Sequence, residues 1–454
     1  MANMRAIRTR IKSVKNTEQI TKAMKMVAVS KLRRTQSSMQ AMRPFSEKSQ
    51  EVMDTLLSAS SGLENRFIKP HKEVKKVCYV LFLGNRGLCG AYNSSILHYA
   101  NSVIKQGGKD RGVAIAYDSR RMSPEFADEA ALCLAANGIR AYVFDALRPT
   151  PELSFALRTL HCISGIVITA SHNPPEYNGY KAYWEDGAQV TAPKDKEIIA
   201  EVKAVTDYHS VKTMDKKDAM DQGLYVVIGK EIDDAYMAEL KKQIIHPDII
   251  KEVADDIRIV YSPFHGTGNV PVRRILSELG FKHVYVVPEQ ELPDPDFTTL
   301  EYPNPEDPKA FTLALKLAKE KNADIVLATD PDADRLGVRV KDKDGVYHTL
   351  TGNMSGCLLE EYELSQRKAA NGSLPEDGAV VSTIVTTNMA GTIARSYGLR
   401  FIEVLTGFKY IGQQILGFEQ SGKGTYLFGF EESYGCLIGT HASCLLYTSP
   451  SPRD

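Results

Sequence analysis

The sequence predicts an α/β protein in which several parallel-sheet domains follow a long basic helix and a short strand. From about residue 105 onward, short apolar runs alternate with longer amphipathic segments, as in βαβ units. The 454 residues, of which 43% are hydrophobic and 25% charged, suffice for several ordinary globular domains. Basic and acidic residues balance at 56 each, so the net charge favours neither nucleic acid nor a membrane as the main partner.

Residues 1 to about 60 have the periodicity of one long helix with an apolar stripe. Ile7, Ile11 and Val14 recur at three- and four-residue steps, and basic residues fill the other faces. Such a helix fits a coiled-coil arm, a nucleic-acid arm or a membrane-surface helix. A buried strand is predicted at 77–83, and a glycine-rich stretch follows at 84–90.

The cysteine pattern and the absence of long apolar runs bear on the location of the chain. Seven cysteines are scattered without a CxxC pair, which disfavours both a zinc site and a disulfide framework and favours a reducing compartment. No apolar run approaches the ~20 residues that span a bilayer. We therefore expect a cytoplasmic protein without a transmembrane segment. The basic, acid-poor N-terminus leaves a mitochondrial transit peptide as the alternative.

The first βαβ unit can be predicted in detail. A strand is expected at 113–118, and a helix follows in which Ser123 is the N-cap and Pro124 the first helical residue. This helix should end at Asn137, before the next strand at 141–144. Further strands are expected at 165–168, 257–261, 283–287, 324–329 and 426–428. The predicted segments of the chain are 1–104, 105–212, 213–350, 351–442 and a non-native tail at 443–454.

The first candidate site is the turn that follows the apolar run 165–168. It presents Ser171, His172 and Asn173, and two prolines then stiffen the chain. Open α/β sheets carry their chemistry at the ends of strands, which makes the Ser171 hydroxyl a candidate reactive group. The alternative is a polar turn whose serine only caps a helix.

The second candidate site is the acidic loop with Asp330, Asp332 and Asp334, again directly after a buried apolar run. Three carboxylates at steps of two repel one another unless a cation lies among them, and oxygen ligands select a hard ion such as Mg²⁺. An EF-hand is excluded, because Arg335 replaces its glycine and Lys341 its glutamate. A solvated acidic turn is the alternative.

The third candidate site is the stretch 429–435, which contains Glu431, Glu432 and Ser433 between glycines. Carboxylates and hydroxyls of this kind can hydrogen-bond the vicinal hydroxyls of a sugar. The nearby stretch 417–424 approaches a P-loop but has glycine where serine or threonine is required, so ATP binding is not expected there.

Together these three loops resemble those of the α-D-phosphohexomutase family, which includes phosphoglucomutases and phosphomannomutases. The resemblance covers about residues 105–442. It is carried by the strings at 169–174, 177–181, 261–268, 330–335, 406–409 and 429–435. It implies consecutive α/β/α domains and an isomerase that interconverts hexose 1-phosphate and hexose 6-phosphate through a hexose 1,6-bisphosphate. The aromatic and acidic run at 180–187 resembles the glucose branch more than the mannose branch.

The resemblance also implies roles for individual residues. Ser171 would carry the phosphoryl group, and Mg²⁺ would be held by that group and the three aspartates Asp330, Asp332 and Asp334. His172 and Lys181 would move the hydroxyl proton or neutralise oxyanions. Arg335 and Lys409 would contact phosphate. Glu431 and Ser433 would bind sugar hydroxyls.

A second resemblance covers about the first 100 residues. The strings at 11–17, 20–28 and 86–90 are similar to the start of the ATP synthase gamma subunit. This implies half of a rotor coiled coil, with other F1 subunits as partners at an energy-transducing membrane. An ATP synthase rotor subunit is therefore the alternative function, although the C-terminal helix of that family has no counterpart here.

The chain also departs from the mutase pattern, and this shapes the expected activity. Mutases of this family have four domains, and neither their first glycine-rich loop before Val113 nor their fourth domain is recognised in this sequence. We therefore expect a fusion joined between residues 98 and 110, ending in a translated sequencing-adapter tail, with impaired turnover. A sugar-phosphate-binding protein without catalysis is the third hypothesis.

Overall fold

The computed structural model describes residues 111–204 and 212–442, which contain three mixed β-sheets flanked by helices. The helix predicted at 1–60, the strand predicted at 77–83 and the tail at 443–454 lie outside the described residues. Among the described helices, none combines the length and the apolar character that crossing a membrane requires.

The first sheet has five strands in the order β4-β3-β1-β2-β5. Its strands are β1 (Val113–Tyr117), β2 (Ala141–Phe144), β3 (Ser164–Ile168), β4 (Tyr180–Trp184) and β5 (Tyr225–Ile228). Its helices are α1 (Ser123–Ala136), α2 (Thr150–Thr159), α3 (Lys194–Ala204), α4 (Lys216–Asp221) and α5 (Lys230–Lys242). A short helix, α6 (Pro247–Val253), leads to the second sheet.

Strand β1 explains why this sheet is covered on both faces. Val113 and Ile115 pack with Ala127 of α1, whereas Ala114 and Ala116 belong to the cluster on the opposite face. Side chains alternate across a strand, so an uninterrupted apolar run needs a helix layer on each side. The α/β fold predicted from the βαβ pattern, and the α/β/α layers implied by the family resemblance, are therefore confirmed.

Two sequence-based predictions need correction in this sheet. Helix α1 begins at Ser123, after Met122 in the left-handed conformation, and the Ser123 hydroxyl donates to buried Asp118 at 2.8 Å instead of capping the helix. Asp118 needs donors because it is fully buried. Strand β5 pairs with β2, so the first sheet extends beyond the predicted boundary at residues 212 and 213.

The second and third sheets follow in order along the chain. The second has the order β10-β9-β8-β6-β7, with strands β6 (Arg258–Ser262), β7 (His283–Val286), β8 (Ile325–Thr329), β9 (Leu336–Lys341) and β10 (Tyr347–Leu350). Its helices are α7 (Asn269–Glu278), α8 (Pro288–Glu291) and α9 (Thr312–Lys321), with a 3-10 turn at Pro308–Phe311. The third has the order β12-β11-β13-β14, with strands β11 (Gly378–Thr383), β12 (Arg400–Val404), β13 (Thr425–Phe430) and β14 (Cys436–Ile438). Its helices are α10 (Gly352–Asn371), α11 (Asn388–Ser396) and α12 (Phe408–Ser421).

The three sheets repeat one topology. In each, the first, second and third strands along the chain are parallel, and the fourth returns antiparallel beside the third. A short connection can join only antiparallel neighbours, whereas parallel neighbours need a crossover. The three connections between third and fourth strands are the candidate loops at 169–179, 330–335 and 431–435. The prediction of parallel-sheet α/β domains did not include the antiparallel strands that follow these loops.

Candidate active site

The serine loop joins β3 to β4 and holds Ser171 in a strained, buried position. Ser171 has a φ of 53°, in the left-handed region, and only 2% of the residue is exposed. Its N–H donates to the Thr169 hydroxyl at 2.8 Å, which fixes the turn. Its Oγ donates to Asp330 Oδ2 at 3.1 Å and lies 3.3 Å from His172 Nδ1. The predicted serine and the predicted acidic loop are therefore in direct contact.

The acidic loop joins β8 to β9 and buries all three predicted carboxylates. Asp330, Asp332 and Asp334 are 0%, 0% and 2% exposed, and one oxygen of each lies within 4.8 Å of the others. One oxygen each of Asp332 and Asp334 is buried and has no hydrogen-bond partner within 111–204 and 212–442. Buried carboxylates require a partner or a cation. This set of oxygens therefore fits a hard divalent ion.

The carboxylates influence one another's protonation. Burial raises the pKa of Asp330 well above its usual value, and the charges of Asp334 and Asp332 raise it further. Burial and the Asp332 charge raise the pKa of Asp334 to about 6. Burial acts in the same direction on Asp332, but the Lys181 ammonium outweighs it and brings that pKa to about 2. Without a cation, the cluster therefore holds fewer than three full negative charges at neutral pH.

Lys181, on β4, supplies a positive charge from the first sheet to the acidic loop. Its Nζ lies 2.8 Å from Asp332 Oδ2 and 3.4 Å from Asp334 Oδ2. Thr150, at the start of α2, adds a second link, because its hydroxyl donates to the same Asp332 oxygen at 3.1 Å and its N–H to the Asp332 carbonyl at 3.0 Å. Lys181 was predicted to act at this site, whereas Thr150 was not.

His172 is neutral in this environment. Burial lowers its pKa to about 3, and the charge of Arg335 contributes in the same direction. A neutral imidazole can accept a hydrogen bond from the Ser171 hydroxyl, but with so low a pKa it is a weak base. His172 is therefore better suited to orienting the Ser171 hydroxyl than to accepting its proton as a general base.

The sugar loop joins β13 to β14 and contacts the acidic loop. Leu336, which follows Arg335, donates its N–H to the Tyr434 carbonyl at 3.2 Å. Burial raises the pKa of Glu431 to about 8, and the charges of Arg335 and Asp334 act on it across this contact. Ser433 is half-buried in the same loop. The three predicted loops therefore converge on one site although they belong to different sheets.

The two glutamates of the sugar loop have different partners. Glu431 Oε1 accepts the Gly407 N–H at 2.8 Å, just before α12 begins. Glu432 Oε2 accepts from the hydroxyls of Thr383 and Thr386, at 3.2 and 3.0 Å. Glu432 therefore braces the loop against the end of β11. Lys409, the second residue of α12, lies two residues beyond Gly407, with its ammonium 5.3 Å from the Tyr410 ring centroid.

Arg120 is a residue of this site that the sequence analysis missed. Its guanidinium donates to the carbonyls of Ser171 at 2.6 Å, Asn173 at 2.5 Å, Pro174 at 2.8 Å and Tyr177 at 2.9 Å. Its side chain is fully buried and also pairs with Asp118 at 3.3 Å. Arg120 therefore serves as the internal support of the serine loop. Its position just after β1, where parallel sheets place functional groups, was the available signal.

We expect Arg120→Met to destabilise the protein strongly. The change leaves Asp118 buried without its cation and four carbonyls without their donor, and removal of one partner of a buried ion pair costs about 3–5 kcal/mol. Urea unfolding would measure this. The neighbouring Arg121, which pairs with Asp296 and has a 66% exposed side chain, provides the matched control. Arg121→Met should change the free energy of unfolding by no more than about 0.5 kcal/mol, and equal losses in both variants would contradict the assigned role.

Comparison with known proteins identifies families along the chain. Models described as phosphoglucomutase/phosphomannomutase, alpha/beta/alpha domains I, II and III, match residues 91–209, 234–345 and 351–446. A model described as ATP synthase matches residues 3–117. The predicted join at 98–110 lies where the first mutase match and the ATP synthase match overlap.

Individual relatives agree with the mutase models. The chain is 38% identical over 338 residues to a probable phosphomannomutase of Haemophilus influenzae, covering 74% of this chain and 64% of that protein. It is 34% identical over 396 residues to a Staphylococcus epidermidis phosphoglucomutase, covering 86% and 67%. The chain thus spans about two thirds of the length of these relatives.

A solved structure supports the fold. The putative phosphomannomutase from Thermus thermophilus has a TM-score of 0.64 and 23% identity, covering 80% of this chain and 74% of the other. Three consecutive α/β/α domain matches, two relatives above 30% identity and this shared fold agree. The chain belongs to the phosphoglucomutase/phosphomannomutase family.

Proposed function

We propose that this chain interconverts hexose 1-phosphate and hexose 6-phosphate through a phosphoserine at Ser171 and a hexose 1,6-bisphosphate, with glucose as the sugar and mannose as the alternative. The observation that carries the proposal is the 3.1 Å hydrogen bond from the Ser171 hydroxyl to Asp330, within a buried carboxylate cluster. A serine that only caps a helix has no need of such a neighbour. The names of the two relatives support the substrate class.

The proposed reaction consists of two phosphoryl transfers at Ser171. In the first half-reaction, the bond from phosphorus to Ser171 Oγ breaks, a bond forms from phosphorus to the free hydroxyl oxygen of the hexose phosphate, and the proton of that hydroxyl replaces the phosphoryl group on Oγ. The reverse step moves the other phosphoryl group of the bisphosphate onto the serine. In that step the phosphoryl group replaces the Ser171 hydroxyl proton, which passes to the sugar oxygen that loses this group, while His172 orients the serine hydroxyl from 3.3 Å.

The charges around Ser171 suit the transfer of an anionic group. Asp330, Asp332 and Asp334 would hold Mg²⁺, which when bound neutralises charge on the phosphoryl oxygens. Lys181 keeps a positive charge beside the cluster, and the buried guanidinium of Arg335 offers donors for a phosphate. Glu431 and Ser433 would bind sugar hydroxyls, and Lys409 would contact the substrate phosphate.

The test is direct detection of the phosphoserine. The purified chain is incubated with Mg²⁺ and glucose 1,6-bisphosphate, digested, and analysed by mass spectrometry for phosphate on Ser171. A parallel assay follows glucose 1-phosphate, or mannose 1-phosphate, to the 6-phosphate. Phosphate on Ser171 together with isomerisation is expected. Binding of the bisphosphate without any phosphoserine would instead favour a sugar-phosphate-binding protein without catalysis.

The rotor hypothesis concerns a different part of the chain. It rests on the match at residues 3–117, of which only 111–117 lie within the described part. F1 subunits are therefore proposed as partners of the N-terminal segment alone. Cofractionation of the full chain with F1 α and β subunits would support this partnership, and elution apart from them would contradict it.

A further inference from the structure

Arg335 is buried but incompletely paired. Only 1% of its side chain is exposed, and its Nη1 donates to Glu306 Oε1 at 2.6 Å. Its Nε and Nη2 are buried and have no hydrogen-bond partner among the described residues. Such buried donors are costly to leave unpaired. The guanidinium therefore has two buried N–H donors available to a group that binds at this site.

The two unpaired donors form one face of the guanidinium. Nε–H and Nη2–H point in parallel, and this side-on edge is a pair of donors that two oxygens of one carboxylate or phosphoryl group can accept. The Arg335 N–H donates at 3.1 Å to Asp330, the carboxylate that accepts from the Ser171 hydroxyl, and the next residue, Leu336, donates its N–H to the Tyr434 carbonyl of the sugar loop. Arg335 therefore lies between the serine that would carry phosphate and the loop that would bind the sugar.

Glu306 reaches Arg335 from a firmly held loop that precedes the 3-10 turn. Pro303 and Pro305 on either side of Asn304 are buried, and the Asn304 side chain accepts the Glu306 N–H at 3.0 Å. The Glu306 side chain is 42% exposed, and its carboxylate accepts a hydrogen bond from Arg335 Nη1. Glu306 thus fixes the guanidinium without occupying the side-on edge.

We propose that Glu306 is a positioning residue that orients Arg335 so that its Nε and Nη2 receive the phosphoryl group of the substrate. The inference rests on the proposed function and adds a residue to it. A competing role, in which Glu306 blocks the arginine until phosphate displaces it, would require the carboxylate to occupy the side-on edge. It occupies Nη1 instead.

The test compares three variants. Glu306→Ala should lower kcat/KM for glucose 1-phosphate about 10- to 100-fold, because a charge-assisted hydrogen bond contributes about 1.5–3 kcal/mol. Glu306→Gln keeps an oxygen acceptor for Nη1 and should recover much of this loss. Glu301→Ala is the matched control in the same loop, because Glu301 pairs with Lys309 at the surface, where their side chains are 61% and 78% exposed. It should leave kcat/KM unchanged.

A double-mutant cycle separates positioning from a merely structural role. If Glu306 acts through Arg335, then Glu306→Ala should cost nothing further in an Arg335→Met background. Additive losses in kcat/KM would overturn this inference. It would also be overturned if the wild-type chain forms phosphoserine and Glu306→Ala is as active as the wild type. Neither result would contradict the proposed function.

Calorimetry with glucose 1,6-bisphosphate supplies a readout that does not depend on turnover. Suppose that the wild-type chain forms no phosphoserine but binds the bisphosphate about tenfold more tightly than Glu306→Ala does. This result would refute the proposed mechanism and would support the role of Glu306. Equal binding by the two chains would overturn that role.

Discussion

Replacing Ser171 with alanine is expected to abolish phosphoserine formation and to reduce isomerisation below detection. The hydroxyl is the only group of this residue that can carry phosphate, and its contacts with Asp330 at 3.1 Å and His172 at 3.3 Å place it within the reactive cluster. The fold should survive, because the Ser171 N–H keeps its bond to Thr169 and its carbonyl keeps its bond to Arg120. Binding of glucose 1,6-bisphosphate should persist.

The control for this variant is Ser396→Ala on α11. Ser396 is exposed and its hydroxyl donates within its own helix, to the Ile393 carbonyl at 2.7 Å. This variant should keep full phosphorylation and full activity. Phosphate that appears at wild-type levels on the Ser171→Ala chain, measured by mass spectrometry of the digest, would show that another residue carries the phosphoryl group.

The candidate loops could be predicted because each follows an apolar run that ends abruptly. Burial on both faces makes β3 and β8 continuous apolar runs, and the polar residues that follow them must lie at the sheet edge. Their convergence could not be predicted in this way. It depends on three antiparallel return strands, and β4 contains a polar and aromatic mixture, including Lys181, that has no clear period.

The residues that the sequence did not reveal act through backbone groups or through contacts that only the folded chain creates. Arg120 serves four carbonyl oxygens, and a carbonyl carries no side-chain signature in the sequence. Glu306 lies 29 positions before its partner Arg335, in a loop rich in proline that reads as a simple connection. Serine is a common helix N-cap, but the Ser123 hydroxyl instead donates a hydrogen bond to Asp118, which is buried and needs donors. Tertiary contacts therefore override local signals at these positions.

Replacing Asp334 with asparagine is expected to remove the response of the protein to Mg²⁺. In the wild type, a bound ion should raise the free energy of unfolding by about 2.7 kcal/mol at roughly 100 times its Kd. Even changes beyond the direct ligands weaken metal binding by about 10- to 100-fold, so loss of a ligand should nearly eliminate this stabilisation. Thermal unfolding with Mg²⁺ and with a chelator measures the difference, and phosphoserine formation should fall in parallel.

In the chelator, the same variant should be at least as stable as the wild type. Asp334 is buried, its burial and the charge of Asp332 oppose its ionisation, and Lys181 keeps its shorter contact with Asp332. Removing one of three crowded carboxylates therefore relieves repulsion while no cation is present. Asp344→Asn, an equal charge change at an exposed position between β9 and β10, should retain the full Mg²⁺ response. A Mg²⁺ response that persists in Asp334→Asn would show that the ion binds elsewhere, because the two variants differ only in which acid they remove.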